Sequence, residues 1–205
     1  IIQKALPPPL DPTKTDNDFG TFIFAPLGEY VVRNGLSKKY LKTSLLTLKE
    51  ITQRFSMEDA IRYFLNEFED ETLQELALWT SDRHYHVRRL ASEGTRPLLP
   101  WSGRIKMEVT LAIPFLDRLY YDPTRYVTRS VANHMNDISK KHPKLVVATL
   151  IRWKKEGRQE PKEMDWIISH SLRTLVKKGD GPALELLGYS SKPNVIISNV
   201  NITNK

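Results

Sequence analysis

Glu93 is the residue whose surroundings most invite a chemical reading. From Arg83 to Lys106 it is the one acid among six bases: Arg83, Arg88, Arg89, Arg96, Arg104 and Lys106. The stretch before it, Met57 to Asp82, has the reverse balance, with eight acids and the single base Arg62. A carboxylate set among arginines has two readings. It is either an ordinary solvated helix residue, paired with Arg89 or Arg96 at helical spacing, or it faces a ligand whose phosphates the arginines bind. Basic side chains recur at Arg129 and Arg173. With Arg88 and Arg89 they would form a stripe that tracks a phosphate backbone and confers affinity without sequence choice.

Trp101 follows Pro97-Leu98-Leu99-Pro100, in a proline-bracketed turn and outside any helix. There it either caps the core or offers its face to a base or a cation. Trp79, Trp153 and Trp166 fall on helical stripes and are expected in the core. His84 and His86 stand one residue apart with no third ligand in register, so no metal site is expected. The chain has no Cys, which excludes a disulfide framework, a thiolate zinc site and a cysteine nucleophile. Glycine-rich phosphate loops and the nucleophile elbow are likewise missing from the sequence. Ser56, ahead of Glu58-Asp59, reads as a helix N-cap and not a nucleophile.

The elements that carry these residues repeat. Asp82-Arg83-His84-Tyr85-His86-Val87-Arg88-Arg89-Leu90-Ala91 aligns without a gap, 40 residues on, with Asp122-Pro123-Thr124-Arg125-Tyr126-Val127-Thr128-Arg129-Ser130-Val131. A further 40 residues reach Asp165-Trp166-Ile167-Ile168, and 40 back reach a weaker copy at Leu46-Thr47-Leu48 and Ile51. Val127, Val131, Met135 and Ile138 fall on one stripe of a 3.6-residue helix. Leu111, Phe115, Leu116 and Leu119 form a second stripe, broken at Tyr120-Tyr121-Asp122-Pro123, where Asp-Pro suits a turn that caps the next helix. A helix–turn–helix unit of about 40 residues is the signature of a HEAT or armadillo array. The expected fold is therefore an all-α, HEAT-like (ARM-type) solenoid, curved, with a basic concave face lined by the helix after each Asp-turn. Glu93 then aligns with Asn133 of the next copy.

The 205 residues divide into an extended Pro-rich connector (1–26), the repeat domain (27–188) and a strand-like tail (189–205), which reads as the start of a β domain. The chain opens on Ile1-Ile2-Gln3, shows no signal peptide and reads as a fragment of something longer. Mean hydropathy of −0.42 and apolar runs far short of about 18 residues exclude a helical membrane protein. A formal charge of +7 favours a polyanionic partner.

Three stretches resemble the HEAT-like-repeat DNA alkylation repair glycosylases, the AlkC/AlkD group, and match its AlkC branch best. They are Phe55-Ser56-Met57-Glu58-Asp59-Ala60-Ile61-Arg62-Tyr63-Phe64-Leu65, then His86 through Glu93-Gly94-Thr95-Arg96-Pro97-Leu98-Leu99-Pro100-Trp101, and Tyr126 through Ile138. Asp59 and Tyr63 stand where the branch more often has Phe and Pro. The resemblance spans about Leu27 to Tyr189. It implies hydrolysis of the N-glycosidic bond of cationic N-alkylated bases such as N3-methyladenine, without deep base flipping and without metal or cofactor. The implied partner is double-stranded DNA carrying such bases, bound by a monomer in a bacterial-type cytoplasm, at the nucleoid. It assigns catalysis to Glu93, Glu58 and Asp137 and lesion contact to Trp101, while the charge pattern gives DNA binding to Arg88, Arg89, Arg96, Arg129 and Arg173. The competing expectations are a DNA-binding solenoid without catalysis and a protein–protein scaffold.

Overall fold

The computed structural model describes residues 2–13, 19–190 and Ser198. The paired helices of the repeat are α5 (Glu69–Trp79) with α6 (Tyr85–Glu93), α7 (Ile113–Leu119) with α8 (Arg125–Ser139), and α9 (Pro143–Glu156) with α10 (Pro161–Lys177). Ahead of them come α1 (Ile2–Ala5), α2 (Ala25–Gly35), α3 (Leu41–Thr52) and α4 (Glu58–Glu67), and α11 (Gly181–Leu186) closes the array. α6, α8 and α10 pack side by side as one layer, with α5, α7 and α9 behind them. This is the all-α HEAT-like solenoid that the 40-residue period predicts. Among the described residues no helix is long and apolar enough to cross a membrane.

α8 is the hub. Val127, Val131, Met135 and Ile138 are all 0–1% exposed, each burial contributing about 1.5–3 kcal/mol. Neighbours on three sides cover even its polar positions Ser130, His134 and Asn136, so polar residues there must find partners inside the protein. The repeated Asp does the same work in two copies. Asp82 Oδ1 accepts the His84 N–H and Asp122 Oδ1 the Thr124 N–H, both at 2.8 Å. These turns present the N-termini of α6 and α8 alike. The third copy departs from that register. Pro161 starts α10 early, Glu160 caps it through the Glu163 N–H, and Asp165 lies within the helix, on its exposed side.

The described residues of 1–26 carry short helical turns as well as extended chain. Ile2–Ala5 and Phe22–Phe24 form helical turns, and α2 starts at Ala25. The segment is bonded to the end of α3 through Leu10 N–H to Gln53 O and Thr21 N–H to Arg54 O. Gly20 at φ +86° permits the close approach, because a Cβ there would lie 1.9 Å from Arg54 O. Of the expected strand-like tail, 191–197 and 199–205 lie outside the described residues.

Candidate active site

Three carboxylates from three helices are strung into one chain of alternating charge. Glu58 opens α4, Glu93 ends α6 and Asp137 lies in the last turns of α8. Arg89 stands between the first two, 3.1 Å from Glu58 and 3.6 Å from Glu93. Arg96 joins the second pair, with Nη1 2.6 Å from Glu93 Oε1 and Nη2 2.9 Å from Asp137 Oδ2. Lys140 ends the series, 3.2 Å from Asp137. Glu93 is 3% exposed, and its Oε2 also accepts a hydrogen bond from Ser130 at 2.6 Å. Burial pushes the Glu93 carboxyl up, but the Arg89 and Arg96 guanidinia, with the hydrogen bonds from Ser130 and Arg96, outweigh it and hold the group below its ordinary range. Burial likewise opposes charge on Arg89 and Arg96, and the flanking carboxylates more than offset it, so both stay protonated.

Gly94 makes this geometry possible. It ends α6 against α4, where a Cβ would meet Ile61 Cγ2 at 2.5 Å. That close approach sets the Glu93 carboxylate beside the α4 end of the series. Thr95 then turns the chain by bonding back to the Ala91 and Ser92 carbonyls.

Arg96, Asp137 and Lys140 open onto a cleft of about 490 Å³, lined also by Arg62, Arg104 and Arg173. Residues 97–100, Ser102 and Gly103 form its lip. Trp101 sits on that lip, 60% exposed, and so is not a core cap. The half-open sides of α8 and α10 continue the surface with Arg129, Asn133, His170 and Arg173. Arg173 Nη2 and His170 Nε2 both reach Asn133 Oδ1, at 3.0 and 2.9 Å.

The nine residues read from the sequence therefore separate. Glu58, Glu93, Asp137 and Arg96 meet in one network, Trp101 lies in the loop that forms the cleft's lip, and Arg129 and Arg173 are half-buried on the sides of α8 and α10. Arg88 and Arg89 depart from the expected phosphate stripe. Arg88 clamps Asp122 of the next repeat with two nitrogens and also bonds the Asp82 carbonyl. Arg89 is 4% exposed and stacks 4.4 Å over the Tyr126 ring. Both are taken up by carboxylates more than 30 residues away, which periodicity does not reveal. Ser56 is also corrected: its hydroxyl bonds Glu58 and receives Arg89 Nη1, while Met57 takes the N-cap place. Trp79 and Trp153 are core, whereas Trp166 is half-buried between Arg125 and His170. Sequence reading gave no site role to Arg62, Ser130 or Asn136, and left Lys140 as a solvating charge. Arg62 had a signal, as the lone base of an acidic stretch, and Lys140 had another, one helical turn after Asp137.

No protein-family model matches the chain. Over 170 residues it is 40% identical to the uncharacterized protein YhaZ of Bacillus subtilis (strain 168), covering 82% of this chain and 46% of that protein. Among solved structures it matches the Pseudomonas fluorescens alkylpurine DNA glycosylase AlkC bound to DNA containing an abasic site analog. The TM-score is 0.75 at 41% identity, over 82% of this chain and 46% of that one. The chain thus spans about half the length of each. Its repeat, its motifs and these likenesses agree: over 82% of its length the chain is similar to the HEAT-like-repeat AlkC-type glycosylases.

Proposed function

We propose that this chain carries the excision centre of an alkylpurine DNA glycosylase, which hydrolyses the N-glycosidic bond of cationic N-alkylated bases in duplex DNA. The observation that carries the reading is the alternating carboxylate–arginine series that reaches Asp137 on the wall of a basic cleft, whose lip carries the exposed Trp101 between Pro100 and Ser102. A base alkylated at N3 already bears a positive charge, so it leaves as a neutral molecule with little need of protonation. Its departure develops oxocarbenium charge on the deoxyribose, which nearby carboxylates stabilise. Water then adds to the sugar C1′ and gives its proton to a carboxylate. Asp137, on the wall of the cleft, is placed to receive that proton. Glu93 and Glu58 extend the negative charge behind it through Arg96 and Arg89. Trp101 offers a π face to the cationic base, and Arg129, Arg173 and Lys140 attract the phosphates.

The test is to incubate the chain with methylated duplex DNA and measure free N3-methyladenine. Release supports the reading. Salt-dependent DNA binding without release makes this chain a non-catalytic DNA binder, and no DNA binding leaves the scaffold reading.

A further inference from the structure

The Trp101 lip is held by one face of α4. Asp59, Arg62 and Asn66 are spaced i, i+3 and i+7, so they share a helix face, and each bonds the loop that follows Gly94. Asp59 accepts from the Ser102 hydroxyl. Asn66 Nδ2 donates to Arg104 O at 3.0 Å, and its Oδ1 accepts the Lys106 N–H at 2.8 Å. Arg62, between them, is 2% exposed. Its Nε donates to Gly103 O at 2.7 Å, and its Nη1 donates to Arg96 O at 2.7 Å and to Gly94 O at 3.3 Å. A buried guanidinium spent on backbone carbonyls is an uncommon use of a costly group. Here those carbonyls lie on both sides of Trp101, and one belongs to Arg96, the residue that joins Glu93 to Asp137.

We propose that Arg62 is a positioning residue, which cross-links the two ends of the Trp101 loop and so sets where the exposed indole stands beside the cleft. The proposal rests on the excision reading above. The planar fork is what the task requires: it spans two carbonyls at fixed separation, whereas a lysine ammonium at the same place keeps the charge and loses the bridge. Pro97 and Pro100 stiffen the span between the bridged points, so the loop moves as a unit when the bridge is lost.

The experiment compares the wild type, Arg62→Lys, Trp101→Ala and the double variant, by single-turnover release of N3-methyladenine from duplex DNA. Arg62→Lys is expected to lower the excision rate on the order of 10–100-fold, with the salt dependence of DNA binding unchanged. In the Trp101→Ala background the same change is expected to alter the rate by no more than about twofold, since Arg62 acts through Trp101. Acrylamide quenching of tryptophan fluorescence is expected to change in Arg62→Lys, because Trp79 and Trp153 are buried, Trp166 is half-buried away from the loop and Trp101 is the most exposed of the four. Independent, additive rate losses overturn the proposal, and so does wild-type quenching in Arg62→Lys. Should that variant fail to fold, Asn66→Ala loosens the same loop and takes its place in the cycle. A wild type that releases no base refutes the excision reading, while the quenching arm still decides whether Arg62 holds the loop.

Discussion

Replacing Arg89 with Met separates a phosphate-binding arginine from an internal one. In the structure Arg89 bridges Glu58 and Glu93, is buried from solvent, and donates to the Ser56 hydroxyl oxygen at 2.8 Å. Met fills much of the stem volume but removes the cation, leaving two carboxylates buried without the charge between them. Removing one partner from a buried ion pair costs about 3–5 kcal/mol. For a domain of this size that corresponds to a fall in Tm of about 6–20 °C. The assays are thermal unfolding by circular dichroism at pH 7 and a salt titration of DNA binding. The expected result is the large fall in Tm with an unchanged slope of log affinity against log salt. The pH dependence follows by sign. Glu93 titrates below its unfolded value, so its contribution is fully present above about pH 4.3 and is lost as pH falls through the lower folded value. The deficit of Arg89→Met therefore shrinks toward acid pH. A variant as stable as the wild type, with a slope reduced by about 0.9, would refute this and restore Arg89 to the phosphate stripe.

Arg129→Ala and Arg173→Ala, on the half-open sides of α8 and α10, should each weaken DNA binding and reduce the salt slope by about one; salt-insensitive binding by the wild type contradicts this. His86 and His134 are buried, and desolvation pushes both down to about 3, against an unfolded value of about 6.5. Stability should therefore fall as pH drops below about 6.5, by on the order of 1–2 kcal/mol per histidine at pH 5; equal urea midpoints at pH 7.5 and 5 exclude it. Gly94→Ala places a Cβ 2.5 Å from Ile61 Cγ2 and should cost about 1–3 kcal/mol, measurable as a lowered urea midpoint.

Periodicity reported the core well because burial is a local, repeating property. The stripe from Val127 to Ile138 and the Asp-turns before α6 and α8 could be read from spacing alone. The third turn could not, because Pro161 starts α10 ahead of the aligned Asp165. What spacing does not carry is the partner of a charge. Arg89 and Arg129 hold the same place in the alignment, yet Arg89 is buried between Glu58 and Glu93 while Arg129 is half-buried on the side of α8. The motif resemblance brought in Glu58 and Asp137, which no pattern in this one chain singles out. The structure places them in the same network as Glu93. Arg62 was visible as an anomaly of charge, but its work is done on backbone carbonyls, which leave no trace in sequence.

The most direct measurement is release of N3-methyladenine from duplex DNA by the wild type, Glu93→Gln and Asp137→Asn, at a temperature where circular dichroism shows all three folded. The account predicts release by the wild type, at least about 100-fold slower release by each variant, and nearly unchanged DNA affinity. Folded variants that release base at the wild-type rate would contradict the claim that this carboxylate series is the excision centre.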